Sequence, residues 1–267
     1  MPDVPEGHDM TNTDDAPASD TVRTAETAFT VLEYLKDADG ATVSAVAADL
    51  GHAKSTASRH LSTLVEMGYV IREGDEFRVG LRFLDFGQHA RTRRAGYELA
   101  EAKVEEIAAR TGERAQFIVE EHGEAVYLHR SFGEHAVRTD PGIGSRIPLH
   151  ATSAGKAVLA HLPEAERREV LDQADLEPVT EHTITDRDRL LEELDTIRER
   201  GYSFNRQENL KGLHAVGVAV SDPEGGIVGA LSVSGPTNRL EGERFREELP
   251  SLLLGTANEL ELNVAHS

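Results

Sequence analysis

Ser55, Thr56, Ser58, Arg59, Ser62 and Thr63 are the residues in this 267-residue chain whose types and spacing most clearly suit a chemical task. They fall within AKSTASRHLSTLVEMGYV, Ala53 to Val70. Ala57, Leu61, Leu64 and Val65 recur at i, i+4, i+7 and i+8, one apolar stripe of a short helix. The opposite face then presents hydroxyls and one guanidinium. Such a face suits close approach to a polar surface, and the major groove of DNA fits it. A groove admits a helix, hydroxyls reach phosphates or base edges, and Arg can bind guanine through two hydrogen bonds. No Asp or Glu occurs from Leu50 to Val65, although acids number 48 in the chain. The candidate DNA-reading set is Lys54, Ser55, Thr56, Ser58, Arg59, His60 and Thr63.

The elements that must position this helix are legible on either side. Ala25, Ala28, Phe29, Leu32 and Leu35 mark a first amphipathic helix, ended near Asp39-Gly40. Thr42 can cap a second helix with Val43, Val46, Ala47 and Leu50 on one face, and Gly51 stops it. Helix, short Gly-containing turn and helix make a helix-turn-helix. YVIREGDEFRVG, Tyr69 to Gly80, then reads as a hairpin, or wing, turning at Glu73-Gly74-Asp75. Arg72 and Arg78 could reach phosphates from it. Leu81 to Thr111 is largely helical, with Ala100, Val104, Ile107 and Ala108 on one face and Gly112 as the stop. Gly87 and Gly96 suggest a bend. This connector could also supply a dimer surface.

Beyond Gly112 the pattern changes. Ala115 to Ser131 reads as a hairpin turning at His122-Gly123, and a short strand is expected over His135 to Thr139. Arg146 to Pro163 passes from an extended piece into a helix. Helices follow around Glu164 to Leu171 and Arg187 to Arg200, stopped at Gly201. GLHAVGVAVSD and GGIVGALSVSG are strand-like, with Asp222 to Gly226 as their turn. A last helix spans about Leu240 to Ala265, with Leu249, Leu252, Leu253, Thr256 and Leu260 inward. Strands at both ends with helices between and after them predict an α+β domain with an antiparallel sheet.

Acids avoid three stretches here: Pro141 to Pro163, Asn209 to Ser221 and Gly225 to Leu240. Core strands explain part of this, but not the polar Arg146, His150, Thr152, Ser153 and Lys156. Thr152 to Gly155 open a helix, whose free N–H groups and dipole favour an anion. Small residues there (Ala151, Ser153, Ala154, Gly155) let a ligand approach the backbone. Ser232 and Ser234 alternate along one strand and share a side. These features predict a site for a small anionic metabolite.

Composition sets limits. The formal net charge is -20, which is unusual for a DNA binder. Met1 to Asp20 is acidic and without Lys or Arg, however, and reads as a disordered tail. The segment after it is nearly neutral. Acid excess, scarce Lys and few aromatics resemble proteins of salt-loving organisms. At high salt counterion release gives little, so specificity would lean on groove contacts. No apolar run approaches a bilayer span, so no membrane partner is expected, and zero Cys points to the cytoplasm.

With the motifs AKSTASRHLSTLVEMGYV, RIPLHATSAGKAVLAHLP, Thr180-x-x-Thr183, Gly201-Tyr202, GLHAVGVAVSD and ALSVSGPTNRL in that order, residues 22–262 resemble an IclR-family transcriptional regulator. The resemblance implies a winged helix-turn-helix (residues 21–80), a linker helix (81–112) and a GAF-like effector-binding domain (113–267), after a tail of residues 1–20. It also implies a homodimer or homotetramer that acts on operator DNA as repressor or activator. Carried over residue by residue, the effector pocket would use Ile147, Ser153, Ala154, Asn205, Leu213, Ala215, Ser232 and Ser234. Asn205 stands where relatives commonly carry an acid, and Ala215 where they often carry Cys. Family effectors include short organic, aromatic and sugar-derived acids.

Other classes fit less well. There is no GxSxG elbow, and Gly155-Lys156 lacks the rest of a P-loop. No Cys is present for redox or tetrapyrrole chemistry, so no cofactor is expected. His129, His135, His150 and His214 could gather around a metal, but hydrogen-bonded His are commoner, and no metal site is assigned. A coating DNA protein would need a basic surface. The nearest alternative is a DNA-binding protein whose second domain serves only dimerisation.

Overall fold

The computed structural model describes residues 21–138 and 142–266. The predicted tail, residues 1–20, lies outside the described residues. The chain divides into two compact units, Met1–Gly87 and Gln88–Ser267.

The first unit begins with α1 (Arg23–Asp37), whose Val31, Leu32 and Leu35 are buried. Phe29, expected inward, is 63% exposed. The N-terminal part of its stripe, Ala25, Ala28 and Phe29, borders an open apolar groove, while Leu32 and Leu35 reach the core. Next come β1 (Ala41–Thr42) and α2 (Val43–Asp49), where the Thr42 side chain accepts from the Ala45 amide as expected of a cap. Gly51 takes φ of 65°, and α3 (Lys54–Glu66) follows. Ala57, Leu61 and Leu64 of α3 are buried against α1 and α2. The wing is β2 (Val70–Glu73) with β3 (Glu76–Val79), and Gly74 turns it at φ of 63°. β1 adds to β3 as a third strand, Ala41 opposite Phe77, a pairing too short to leave a sequence signal.

The connector is two helices, α4 (Arg82–Thr92) and α5 (Ala95–Thr111). The break falls at Arg93-Arg94, not at either glycine. Gly96 serves close approach instead: a Cβ there would meet Val228 Cγ1 at 2.6 Å. Tyr97, Ala100, Val104, Ile107 and Ala108 are buried in the core of the second unit. The expected linker of residues 81–112 is therefore divided, with α5 an integral helix of the second unit.

That unit is α+β, as expected. Its six strands are β4 (Arg114–Glu121), β5 (Glu124–Phe132), β6 (Arg146–Pro148), β7 (Ser203–Arg206), β8 (Leu213–Ser221) and β9 (Ile227–Pro236). They form one antiparallel sheet in the order β6-β5-β4-β9-β8-β7. The β4–β5 hairpin turns at His122-Gly123, both with positive φ. The strand expected at His135 is absent from His135 to Arg138; Thr139 is outside the described residues. Arg239 instead donates to the His135 carbonyl and pins this segment to the buried Glu113.

Helices cover both faces of the sheet. One face packs on α5 and α9 (Leu249–Ala265), which is preceded by a π-helical turn, Arg244–Glu248. The other face carries α6 (Ser153–His161), α7 (Glu164–Gln173) and α8 (Arg187–Arg200). Along β4, Ala115, Phe117 and Val119 face the first layer, which leaves Arg114, Gln116 and Ile118 on the side of α6. Among the described residues no helix is long and apolar enough to cross a membrane.

Candidate nucleic-acid interface and ligand cavity

The two sites lie in different units. In the first, α3 leaves Lys54, Ser55, Ser58, Arg59, Ser62 and Thr63 exposed, while Thr56 and His60 are half-buried. Thr56, Arg59, His60 and Thr63 border the apolar groove with Phe29, Met67, Phe83 and Phe86. The exposed residues of the helix clear of this groove are thus Lys54, Ser55, Ser58 and Ser62, with Arg59 exposed at its edge. Ala53 precedes the helix with no side chain to cap its first N–H groups, which suits an anion.

The wing arginines have structural tasks. Arg78 contacts Glu73 at 3.2 Å, Glu76 at 2.9 Å and Asp39 at 3.4 Å, and it donates to the Asp39 carbonyl. It therefore ties the wing to the end of α1. Arg72 Nε donates to the Gly74 carbonyl at 2.9 Å, which stiffens the turn, but the residue stays more exposed than Arg78.

In the second unit all eight residues carried over for an effector line one cavity: Ile147, Ser153, Ala154, Asn205, Leu213, Ala215, Ser232 and Ser234. Its volume is about 20 Å³. Thr152 caps α6 by accepting from the Gly155 amide at 3.0 Å, so the helix opens into the cavity with Ser153 and Ala154. The approach of α6 to the sheet is made by glycine. A Cβ on Gly217 would lie 2.6 Å from the Ser153 carbonyl carbon, and one on Gly155 would lie 2.2 Å from the Leu149 oxygen. Ser203 Oγ donates to the Ser153 carbonyl and so holds the helix start on β7.

Asn205 braces the wall with its whole amide. Nδ2 donates to the Ala151 carbonyl at 2.6 Å, and Oδ1 accepts from the Glu208 amide at 3.1 Å. Behind it, Thr180 Oγ1 donates to the Gln207 carbonyl at 2.7 Å and Thr183 Oγ1 to the Glu208 carbonyl at 2.6 Å. The Thr-x-x-Thr segment is thus a clamp on the turn that carries Glu208.

Sequence reasoning missed Arg114, Gln116, Ile118, Tyr127 and Asn209, which also line the cavity. Arg114 is buried and donates from Nε to Ser234 Oγ at 2.8 Å. Burial, and to a lesser degree the charge of Arg130, lowers its pKa, though a guanidinium stays charged. Gln116 Nε2 donates to Ser232 Oγ at 2.8 Å. Burial raises the Tyr127 pKa, which keeps its phenol protonated. The only available signal was the alternation of Arg114 and Gln116 with Ala115 and Phe117.

Three polar residues used to argue for the site turn away from it. Arg146 pairs with Glu121 at 2.8 Å, His150 Nε2 lies 3.1 Å from the Glu177 carbonyl, and Lys156 pairs with Glu208. Two more of the four suspected histidines are occupied as well. His129 lies 2.6 Å from the Tyr97 carbonyl and His214 lies 2.7 Å from that of Leu240. Among the described residues no three His, Asp or Glu are placed to share a metal.

A winged helix-turn-helix joined to a second unit built on a six-stranded antiparallel sheet defines a class: winged helix-turn-helix proteins with a separate α+β domain. Residues 91–262 match the model described as bacterial transcriptional regulator IclR C-terminal, and residues 24–74 match the IclR helix-turn-helix domain. The chain belongs to the IclR family of transcriptional regulators, and it is a regulator rather than an enzyme. It is 29% identical over 241 residues to a probable HTH-type transcriptional regulator ArcR of Halobacterium salinarum, covering 89% of this chain and 92% of that one. The IclR structure from Thermotoga maritima matches with a TM-score of 0.77 and 31% identity, over 90% of this chain and 98% of that one. An IclR homologue from Microbacterium hydrocarbonoxydans complexed with 4-hydroxybenzoate matches with a TM-score of 0.79 and 26% identity, over 91% of this chain and all of that one, 100%.

Proposed function

We propose that this regulator acts in the cytoplasm, and that a small anionic metabolite in the Ser153–Ser232 cavity controls its operator binding. The observation that carries the reading is the cavity itself. One space is lined by the start of α6, two β9 hydroxyls and the buried Arg114 guanidinium. The complex of a related homologue with 4-hydroxybenzoate supports it.

On the DNA side, Ser55, Ser58, Arg59 and Ser62 would face the bases, and Lys54, Thr63 and Arg72 the phosphates. A homodimer would place two α3 helices in successive major grooves of a roughly palindromic site. The exposed Phe29, Met67 and Phe86 support such self-association, since they border one open apolar groove on the first unit. The ligand shifts DNA affinity only by its differential affinity for two arrangements of the dimer.

Thermal melts at high salt against a panel of organic and sugar acids test this, because binding to the native state raises the melting temperature. A hit that also changes an operator footprint supports the reading. No shift with any acid leaves the second unit as a dimerisation module.

A further inference from the structure

Resting on that reading of the cavity, we infer that its ligand is a short 2-hydroxycarboxylate, with Arg114 holding the carboxylate and Gln116 accepting from the hydroxyl. Three observations carry this. The cavity, at about 20 Å³, has room for little more than one water. So small a space favours a ligand of few heavy atoms over one with an aromatic ring.

Arg114 supplies the charge. Its guanidinium is buried on the cavity wall, oriented by Ser234, and Arg130 adds positive potential. The start of α6 lies on the same cavity wall and favours an anion.

Gln116 supplies the discrimination. Its Nε2 is spent on Ser232, while Oε1 is buried with no hydrogen-bond partner. A buried acceptor left unmade is unfavourable, and only a donor satisfies it. A hydroxyl next to the carboxylate is such a donor. A keto oxygen is not, and neither is a methylene.

The test uses the full-length protein and isothermal titration with lactate, pyruvate and propionate, three acids of like size. Lactate should bind about tenfold or more tighter than the other two. Gln116→Leu should erase that preference and keep propionate binding. Arg114→Met should weaken all three by about tenfold or more. Thermal melts check that the variants fold, and the wild-type series decides the hydroxyl question without them. Equal binding of the three acids, or a preference for pyruvate, overturns the role of Gln116. Undiminished binding by a folded Arg114→Met overturns that of Arg114. If benzoates or sugar acids bind and the short acids do not, the ligand class is wrong and the effector cavity stands. If no acid binds, both fall.

Discussion

Lys156 on α6 and Glu208, in the turn after β7, form an ion pair at 2.5 Å with both side chains buried, 1% and 8% exposed. The turn is also held by Thr180, Thr183 and Asn205. The pair therefore fixes the helix that opens into the cavity to the strand opposite it. Removing one partner leaves a buried charge alone, so Lys156→Met should cost about 3–5 kcal/mol. Lys156→Met with Glu208→Leu should recover most of that loss. Urea unfolding of the single and double variants measures both, and a single variant as stable as the parent would show the pair to be dispensable.

Arg59 is exposed on α3 at the edge of the groove. If it reads a base, Arg59→Ala should weaken operator binding by about 1–3 kcal/mol and relax preference at one position. Gel-shift titrations on single-base operator variants check it. An unchanged base preference removes Arg59 from that role.

Arg78 and Lys54 should behave differently although both are cationic. Arg78 is held by three carboxylates at partly exposed positions. Arg78→Ala should lower stability by about 1 kcal/mol, screening having weakened these pairs, and leave the salt dependence of DNA binding unchanged. Lys54→Ala should reduce the salt slope by about 1. A reduced slope in Arg78→Ala would assign Arg78 to a phosphate.

His129 links stability to pH. Burial lowers its pKa below the usual imidazole value, and Arg91 adds to the effect, while the Tyr97 carbonyl opposes it. Arg91 Nη2 donates to Nδ1 at 2.8 Å, and Nε2 donates to Tyr97 O at 2.6 Å, an arrangement of the neutral ring. The unfolded chain then binds the proton more readily than the native one. Stability is full above about pH 6.5 and falls as pH drops below it toward the native pKa. Melting temperatures across that window should decline less in His129→Gln than in the parent.

Gly217 lets β8 touch the start of α6. Gly217→Ala should push the helix off the sheet, costing about 1–3 kcal/mol, and weaken binding of any acid that stabilises the parent. Differential scanning calorimetry with and without that acid separates the two effects.

The sequence by itself determined the local elements and the residues at their ends. Periodicity placed α2, α3 and the inner face of α5, because the 3.6-residue repeat depends only on neighbours along the chain. Small and hydroxyl residues marked the start of α6, and alternation put Ser232 and Ser234 on one side of β9. Only the tertiary structure decided which polar residues face the cavity beside α6. Arg114 and Gln116 alternate with apolar neighbours as the outer face of any strand would. They turn out inward because helices cover both faces of the sheet. Arg78 appeared available for DNA until folding brought Asp39 against it. Lys156 appeared to belong to the site until Glu208 met it from 52 residues away. Periodicity records which side of an element is polar; what that side meets is fixed by contacts between residues far apart in the chain.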